Sequence, residues 1–368
     1  MTRQTVGLIF GGRSGEHEVS LMSARSVLSA LDPEKYDVVE IGIDQAGHWF
    51  SGANALSAFE EGKTDRLEQV ALLAEPGEGT LFAWGLGETL RRLADLDVAF
   101  PVLHGTFGED GTLQGLLELA AVPYVGAGVL GSSVAMDKAL FKRLMESHNL
   151  PTLPFALLEA DRIREDMDWA LSVAVQVADY PLFTKPSNLG SSVGVSRCTN
   201  GADLAEGLME AAQYDRRVLV EQGIDAREIE VSVLGNESPE VSIAGEIRPA
   251  DDFYSYEAKY IDEDSELLIP APISDELMAQ VQDIAVKAYQ AIDCAGMARV
   301  DFLLDRDREN LYLNEINTIP GFTKISMYPK LWEASGLSYP SLCDRLIELA
   351  IHRQEQKDSL VRSYGELS

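Results

Sequence analysis

RVDFLLDRDRENLYLNEIN, residues 299–317, reads as two strands flanking a polar turn, and this hairpin sets the frame for the rest of the chain. A turn centred on Arg308 places Asp301 opposite Glu315. Side chains alternate faces along a strand, so Glu315 and Asn317 point the same way. Asp301, Glu315 and Asn317 then form one oxygen-rich patch on an otherwise apolar hairpin. Hard Mg²⁺ takes oxygen ligands and is commonly shared between a few carboxylates and substrate phosphates. A solvated sheet face would carry the same acids, so the patch alone leaves both readings open. The adjoining TIPGF turn (318–322) and nearby Arg299 favour a site.

Upstream, KPSNLGSSVGV (185–195) joins two strand-like segments within 180–198. Its small residues let backbone N–H groups turn inward around phosphate oxygens, and Lys185 adds a positive charge. No GK[ST] follows the glycines, and no GxGxxG follows a strand, so neither the P-loop nor the dehydrogenase fingerprint is present. A plain flexible loop remains the alternative. Lys138 opens an amphipathic helix over 136–151 that Pro151 stops. FYSYEAKY (253–260) has four aromatics in eight residues with Lys259 among them, in a long polar loop, 249–269, which reads either as a lid that closes over a site or as a loop packed on the surface by its own aromatics. Strands are expected over 216–224, 228–235 and 240–247, and helices over 274–293 and 341–353, with a solvated tail from about 355.

The first third alternates strands and helices. Val6 to Phe10, 38–44, 95–105 and 122–126 read as strands, and 19–31 and 111–120 as helices. Such alternation predicts a mainly parallel sheet, with ligand groups gathered beyond the strand C-terminal ends. Glu16, in GGRSGEHEVS (11–20), and His104, in HGTFGEDG (104–111), stand at such ends. A helix cap is the ordinary role for Glu16, and a structural role the ordinary one for His104. Residues 53–90 are weakly patterned and acidic, and read as a partly helical excursion.

Composition narrows the classes. At roughly 100–200 residues per domain, 368 residues suggest two or three domains. Hydrophobic residues are 46% and charged residues 24%, an ordinary globular balance. Sixty acids against thirty bases give a net charge of −30, which repels a nucleic-acid backbone. Cys198, Cys294 and Cys343 have no metal-ligand spacing and form no even disulfide set. No apolar run of about 18 residues is present, so no membrane span is expected and the cytoplasm is the expected address.

Seven stretches in this order resemble the D-alanine:D-alanine ligases of the ATP-grasp superfamily. They are GGRSGEHEVSL (11–21), LHGTFGEDGTLQG (103–115), YVGAGVLGSSVAMDK (124–138), KPSNLGSSVGV (185–195), FYSYEAKY (253–260), ARVDFLL (298–304) and NEINTIPGFT (314–323). The resemblance implies a three-domain ATP-grasp fold of α/β and α+β character: an N-terminal parallel α/β domain (1–135), a central subdomain (136–222) and a C-terminal subdomain (223–368). ATP would lie between the central and C-terminal sheets. Lys138, Lys185 and Ser192 resemble the phosphate contacts, and Lys259 the γ-phosphate contact on the lid. Glu221, Gln222 and the Ile224 backbone fall beside adenine, and Glu228 at the ribose. Asp301, Glu315 and Asn317 match the ligands of two Mg²⁺ (or Mn²⁺) ions. Glu16 and His104 match the first D-alanine pocket, completed by Ser191 and Tyr260. Arg299 and the Gly321 N–H resemble oxyanion donors, and Ser326 and Met327 fall where the family holds the second D-alanine carboxylate. Gln222 and Gly223 depart from the pattern, since many relatives carry a lysine and an aromatic there. The implied activity is ligation of two D-alanines at the expense of ATP for peptidoglycan precursors, by a homodimer. A D-alanine:D-serine ligase, or another ATP-grasp carboxylate-amine ligase, is the alternative.

Overall fold

Strand β1 (Gln4–Gly11) is apolar along most of its length because both of its faces are covered. Val6, Leu8 and Phe10 enter one core and Ile9 another. The structure is a computed structural model and describes residues 3–77, 79–84, 89–190, 192–248 and 266–361. Ser191, Lys259, Tyr260 and all of 249–269 except 266–269 lie outside the described residues.

β1 is parallel to β2 (Tyr36–Ile43) on one side and β7 (Val98–Pro101) on the other. Helix α1 (His17–Ala30) covers one face through Leu21, Ala24 and Val27. Helix α3 (Thr112–Leu119) covers the other through Leu113 and Leu117. This parallel part is as expected, but the sheet is longer. β3 (Trp49–Ser51), β4 (Glu68–Leu72), β5 (Thr80–Trp84) and β6 (Leu90–Asp95) extend it antiparallel, in the order β6-β5-β4-β3-β2-β1-β7. The 53–90 excursion is partly helical as expected, with α2 (Ala55–Glu60) and a short 3-10 turn (Thr64–Arg66), and it also carries β4, β5 and the start of β6. The expected strand at 122–126 is a single parallel bridge, Ala99 to Tyr124.

The second sheet runs β10-β9-β11-β8, all antiparallel: β8 (Phe155–Glu159), β9 (Leu182–Pro186), β10 (Ser196–Cys198) and β11 (Arg217–Gln222). Period-2 alternation sends Leu182, Val218 and Val220 back onto α6 (Ala160–Glu165), α7 (Met167–Ala174) and α8 (Gly201–Tyr214). Phe183, Lys185 and Glu221 face the other way.

The third sheet runs β15-β14-β12-β16-β17, with β13 (Glu240–Val241) beside β12 (Ala226–Gly235). Its other strands are β14 (Gly245–Arg248), β15 (Glu266–Leu268), β16 (Gly296–Asp305) and β17 (Leu311–Asn317). The stretch 240–247 splits into β13 and β14 because the Ser232 N–H donates to the Ser242 hydroxyl, at 2.9 Å, and interrupts the ladder. Ile229, Val231, Val233, Val300 and Phe302 pack on α9 (Asp275–Ala291). Helix α4 (Val129–Met136) and helix α5 (Lys138–Ser147) join that core through Val134, Ala135, Phe141 and Met145.

The helices α4, α6, α7 and α8 were not expected from the sequence, and two more differ toward the end of the chain. Met327–Ala334 forms α10, which sequence periodicity did not flag because it is eight residues long with Pro329 in its first turn. The last helix, α11 (Tyr339–Asp358), runs into the supposed tail, where Lys357 pairs with Glu118. No helix among the described residues is long and apolar enough to cross a membrane.

Candidate active site

The hairpin keeps its expected cross-strand pair, Asp301 opposite Glu315, but reaches it through a bulge. Leu304 to Phe302 pair with Leu311 to Leu313; Asn314 is then extra, and Asp301 meets Glu315. The extra residue lets Leu311, Leu313 and Ile316 all enter the core while Glu315 and Asn317 face outward. Arg299, opposite Asn317, shares that outer face. Its guanidinium grips Asp301 at two points, 2.7 and 2.6 Å, and touches Glu230 at 3.0 Å. The Asn317 amide donates to Asp301 Oδ2 at 2.9 Å. Lys138 Nζ lies 3.3 Å from Glu315 and donates to the Leu189 carbonyl at 3.0 Å. Asp137 sets Lys138 in place by capping α5 at the Leu140 N–H, 3.0 Å away. It also accepts from the Ser187 hydroxyl, at 3.0 Å, and pairs with Arg217. One carboxylate therefore ties the helix start, the 187–190 loop and β11 together.

A cavity of about 1420 Å³ lies between the second and third sheets. Its lining includes Lys138, Lys185, Ser192, Glu221, Gln222, Ile224, Glu228, Asp301 and Glu315. Phe183 and Leu303 line it as well. Lys185 Nζ is 2.6 Å from one Glu221 oxygen, and Lys142 pairs with the other. Burial would raise the Glu221 carboxyl, but the two ammonium groups outweigh it and hold it down at about 2.

A second cavity, about 570 Å³, is lined by Glu16, His104, Glu109, Arg299, Gly321, Ser326 and Met327. Glu16 stands at the N-cap position of α1 yet its side chain makes no cap hydrogen bond, so its ordinary role is not the one seen. Gly105 lets the carboxylate in: its φ is +77°, and a Cβ there would stand 2.7 Å from Glu16 Oε2. His104 is buried; Nδ1 lies 2.9 Å from the Ile319 carbonyl and Nε2 2.9 Å from the Ser23 hydroxyl. Burial would lower its pKa, but Glu109, with Nδ1 3.8 Å from Oε1, and Glu16 raise it more. Ser326 takes the N-cap position of α10, so that helix's first N–H groups stand at the cavity wall. The two cavities share Lys138, Glu230, Arg299 and Glu315 in their walls.

The structure thus brings every described candidate to one of two adjoining cavities. Asp301, Glu315 and Asn317 present two carboxylates and an amide on one face where the cavities adjoin, Asp301 lining the larger, Asn317 the smaller and Glu315 both, a set suited to a hard divalent ion shared with phosphate. No group of three or more His, Cys, Asp or Glu side chains arranged for a metal occurs among the described residues. Sequence reasoning missed Lys142, Glu109, Glu230 and Phe183. A signal for Lys142 was present: Ala139, Lys142 and Met145 share one helix stripe, which is buried.

Residues 5–127 match the family model described as D-ala D-ala ligase N-terminus, and residues 144–348 the one described as D-ala D-ala ligase C-terminus. The chain is similar to the D-alanine–D-alanine ligase of a Thermoanaerobacter species, 51% identical over 97% of this chain and 99% of that one. Among solved structures it is similar to the D-alanine-D-alanine ligase from Coxiella burnetii, with TM-score 0.83, 36% identity and 98% of each chain covered. The VanG D-Ala:D-Ser ligase from Enterococcus faecalis superposes with TM-score 0.84 at 32% identity, over 95% of this chain and 100% of that one. Together the two matched models take in most of the sequence, and the chain belongs to the D-alanine–D-alanine ligase family.

Proposed function

We propose that this chain joins two molecules of D-alanine through a D-alanyl phosphate, releasing ADP and phosphate and yielding the dipeptide for peptidoglycan precursors. The observation that carries the reading is the shared wall of the two cavities. Lys138, Glu230, Arg299 and Glu315 border both, so a nucleotide in the larger and an amino acid in the smaller would meet there.

In this reading Lys138 and Lys185 leave their carboxylate partners for the phosphates, with Ser192 beside them. Glu221, Gln222 and Ile224 take the base, and Glu228 the ribose. Asp301, Glu315 and Asn317 would hold two Mg²⁺ (or Mn²⁺), which offset phosphate charge when bound. Glu16 takes the ammonium of the first D-alanine, with His104 behind it. The carboxylate oxygen of that first D-alanine attacks the γ-phosphorus, the bond to ADP breaks, and ADP leaves. The free amine of the second D-alanine attacks the acyl carbon, loses a proton, and phosphate leaves. Arg299 and the Gly321 N–H offset the charge that develops on the carbonyl oxygen. Ser326 and Met327, at the start of α10, receive the second carboxylate. Ser191, Tyr260 and Lys259 belong to the same proposal. The acyl phosphate reacts with water, which is the physical reason for a covering loop over 249–269. The segments 1–135, 136–222 and 223–368 as working units, a cytoplasmic address and a homodimer complete the proposal.

The test is ADP release from ATP and Mg²⁺ with D-alanine, L-alanine or a D-alanine and D-serine mixture. ADP formed in proportion to D-alanyl-D-alanine, and not with L-alanine, is expected. Turnover with L-alanine, or a mixed dipeptide as main product, would overturn the assignment.

A further inference from the structure

Glu221 is 1% exposed at the end of β11, yet it lines the larger cavity. Lys185 reaches it across that wall, and Lys142 approaches from α5 behind it, itself 2% exposed. A buried ion pair of this kind is costly in desolvation and is weak ground for stability alone. Its two lysines also differ in circumstance. Lys185 lines the cavity and can be drawn to an incoming phosphate, whereas Lys142 is enclosed by the packing of α5.

We infer that Lys142 is a positioning residue for nucleotide selection: it keeps the Glu221 carboxylate charged and fixed after the phosphates draw Lys185 away. A charged carboxylate accepts from the 6-amino group of adenine and repels the 6-oxo group of hypoxanthine or guanine. A protonated carboxyl would donate to that oxo group instead, and the selection would fail. The inference deepens the ligase reading, resting on it only in that the larger cavity takes a purine triphosphate. The charged groups around Glu221 are Lys142 on α5 and Lys185 on β9, with Glu315 on β17 and Glu228 on β12 acting on the lysines at longer range. With both lysines in place the carboxyl sits at about 2 and carries its charge across the working range. With Lys142 removed and Lys185 on phosphate, burial acts alone and raises it.

The experiment measures binding of ATP and of inosine triphosphate by calorimetry, without D-alanine, to the full chain and to Lys142→Met. The wild-type preference for ATP should hold steady from about pH 8 to about pH 6, while in Lys142→Met it should fall more than about tenfold and fall further toward acid. Lys142→Arg, which keeps the charge, should restore the preference. The double variant Lys142→Met with Glu221→Gln removes both charges, so it should fold even if the single variant does not. It should bind the two nucleotides alike at every pH. A wild-type preference in Lys142→Met or in the double variant, or an equal loss for both nucleotides, would overturn the inference. D-alanine-dependent ADP release, read separately on the wild type, fails only if the ligase reading is wrong.

Discussion

His104 gives the smaller cavity a pH signature. Its folded pKa is raised, since Glu109 and Glu16 together outweigh burial. A histidine raised on folding contributes stability that is complete below its unfolded value, about 6.5, and is lost as pH rises through the folded value. Glu109 has the same sign, because burial raises its carboxyl against the pull of the His104 ring. In denaturant melts of wild type and Glu109→Gln, the wild type should lead most below about pH 6.5 and lose that lead as pH rises further. A lead that grows with pH would show the ring to be neutral throughout. At this scale the site was partly readable beforehand. Asp301, Glu315 and Asn317 follow from strand alternation, and the bulge at Asn314 changes how they arrive rather than where. Glu109 and Lys142 were not readable as a pair with His104 and Glu221. Lys142 and Glu221 lie on different elements, and nothing local in sequence announces that contact; Glu109 is five residues from His104 in one loop, where spacing alone does not fix which side chains meet.

Asp137 is where element and site meet. It ends the extended link after α4, caps α5 and holds both Ser187 and Arg217. Removing it leaves the α5 start uncapped and the Arg217 guanidinium without its partner. Asp137→Ala should therefore cost about 2 kcal/mol or more in denaturant unfolding. It should also raise KM for ATP more than it lowers kcat, because Lys138 and the 187–190 loop lose a common anchor. Equal KM with lowered stability would make Asp137 a cap and nothing more. The elements themselves were legible where periodicity was sustained: β1, β2, α1, α3, α9 and the hairpin fall close to their expected spans. The strands β3 to β6 were not, because each is short and β6 is exposed along much of its length, leaving little apolar alternation to read.

Across the whole molecule the cores are shared unequally. The second sheet and its helices enclose a core of their own, drawn from residues 158–220. The first and third sheets share one: Val6, Leu8 and Phe10 of β1 pack with Met297, Phe322, Tyr328 and the α11 residues Leu342 to Ala350. The two backbones also come close, since a Cβ on Gly296, at φ +73°, would stand 3.0 Å from the Gly126 nitrogen. Arg353 of α11 closes this contact from outside. Its guanidinium donates to the Gly126 carbonyl and to that of Tyr124, at 2.9 Å, and lies 4.3 Å over the Tyr124 ring. The first and third sheets thus share one packed wall beside the smaller cavity, while the second sheet adds the 187–190 loop and Lys185 from a separate core. Arg353→Ala is the substitution that tests this division. It removes charge-assisted hydrogen bonds and a cation–π contact, so unfolding should lose roughly 2 kcal/mol. The loss should fall on the half proposed to hold D-alanine: KM for D-alanine should rise while ATP binding, read by calorimetry, stays within about twofold. If ATP binding weakened as much as D-alanine binding, the second sheet would have to be coupled rigidly to the other two, and its separate core would not mark a separate body.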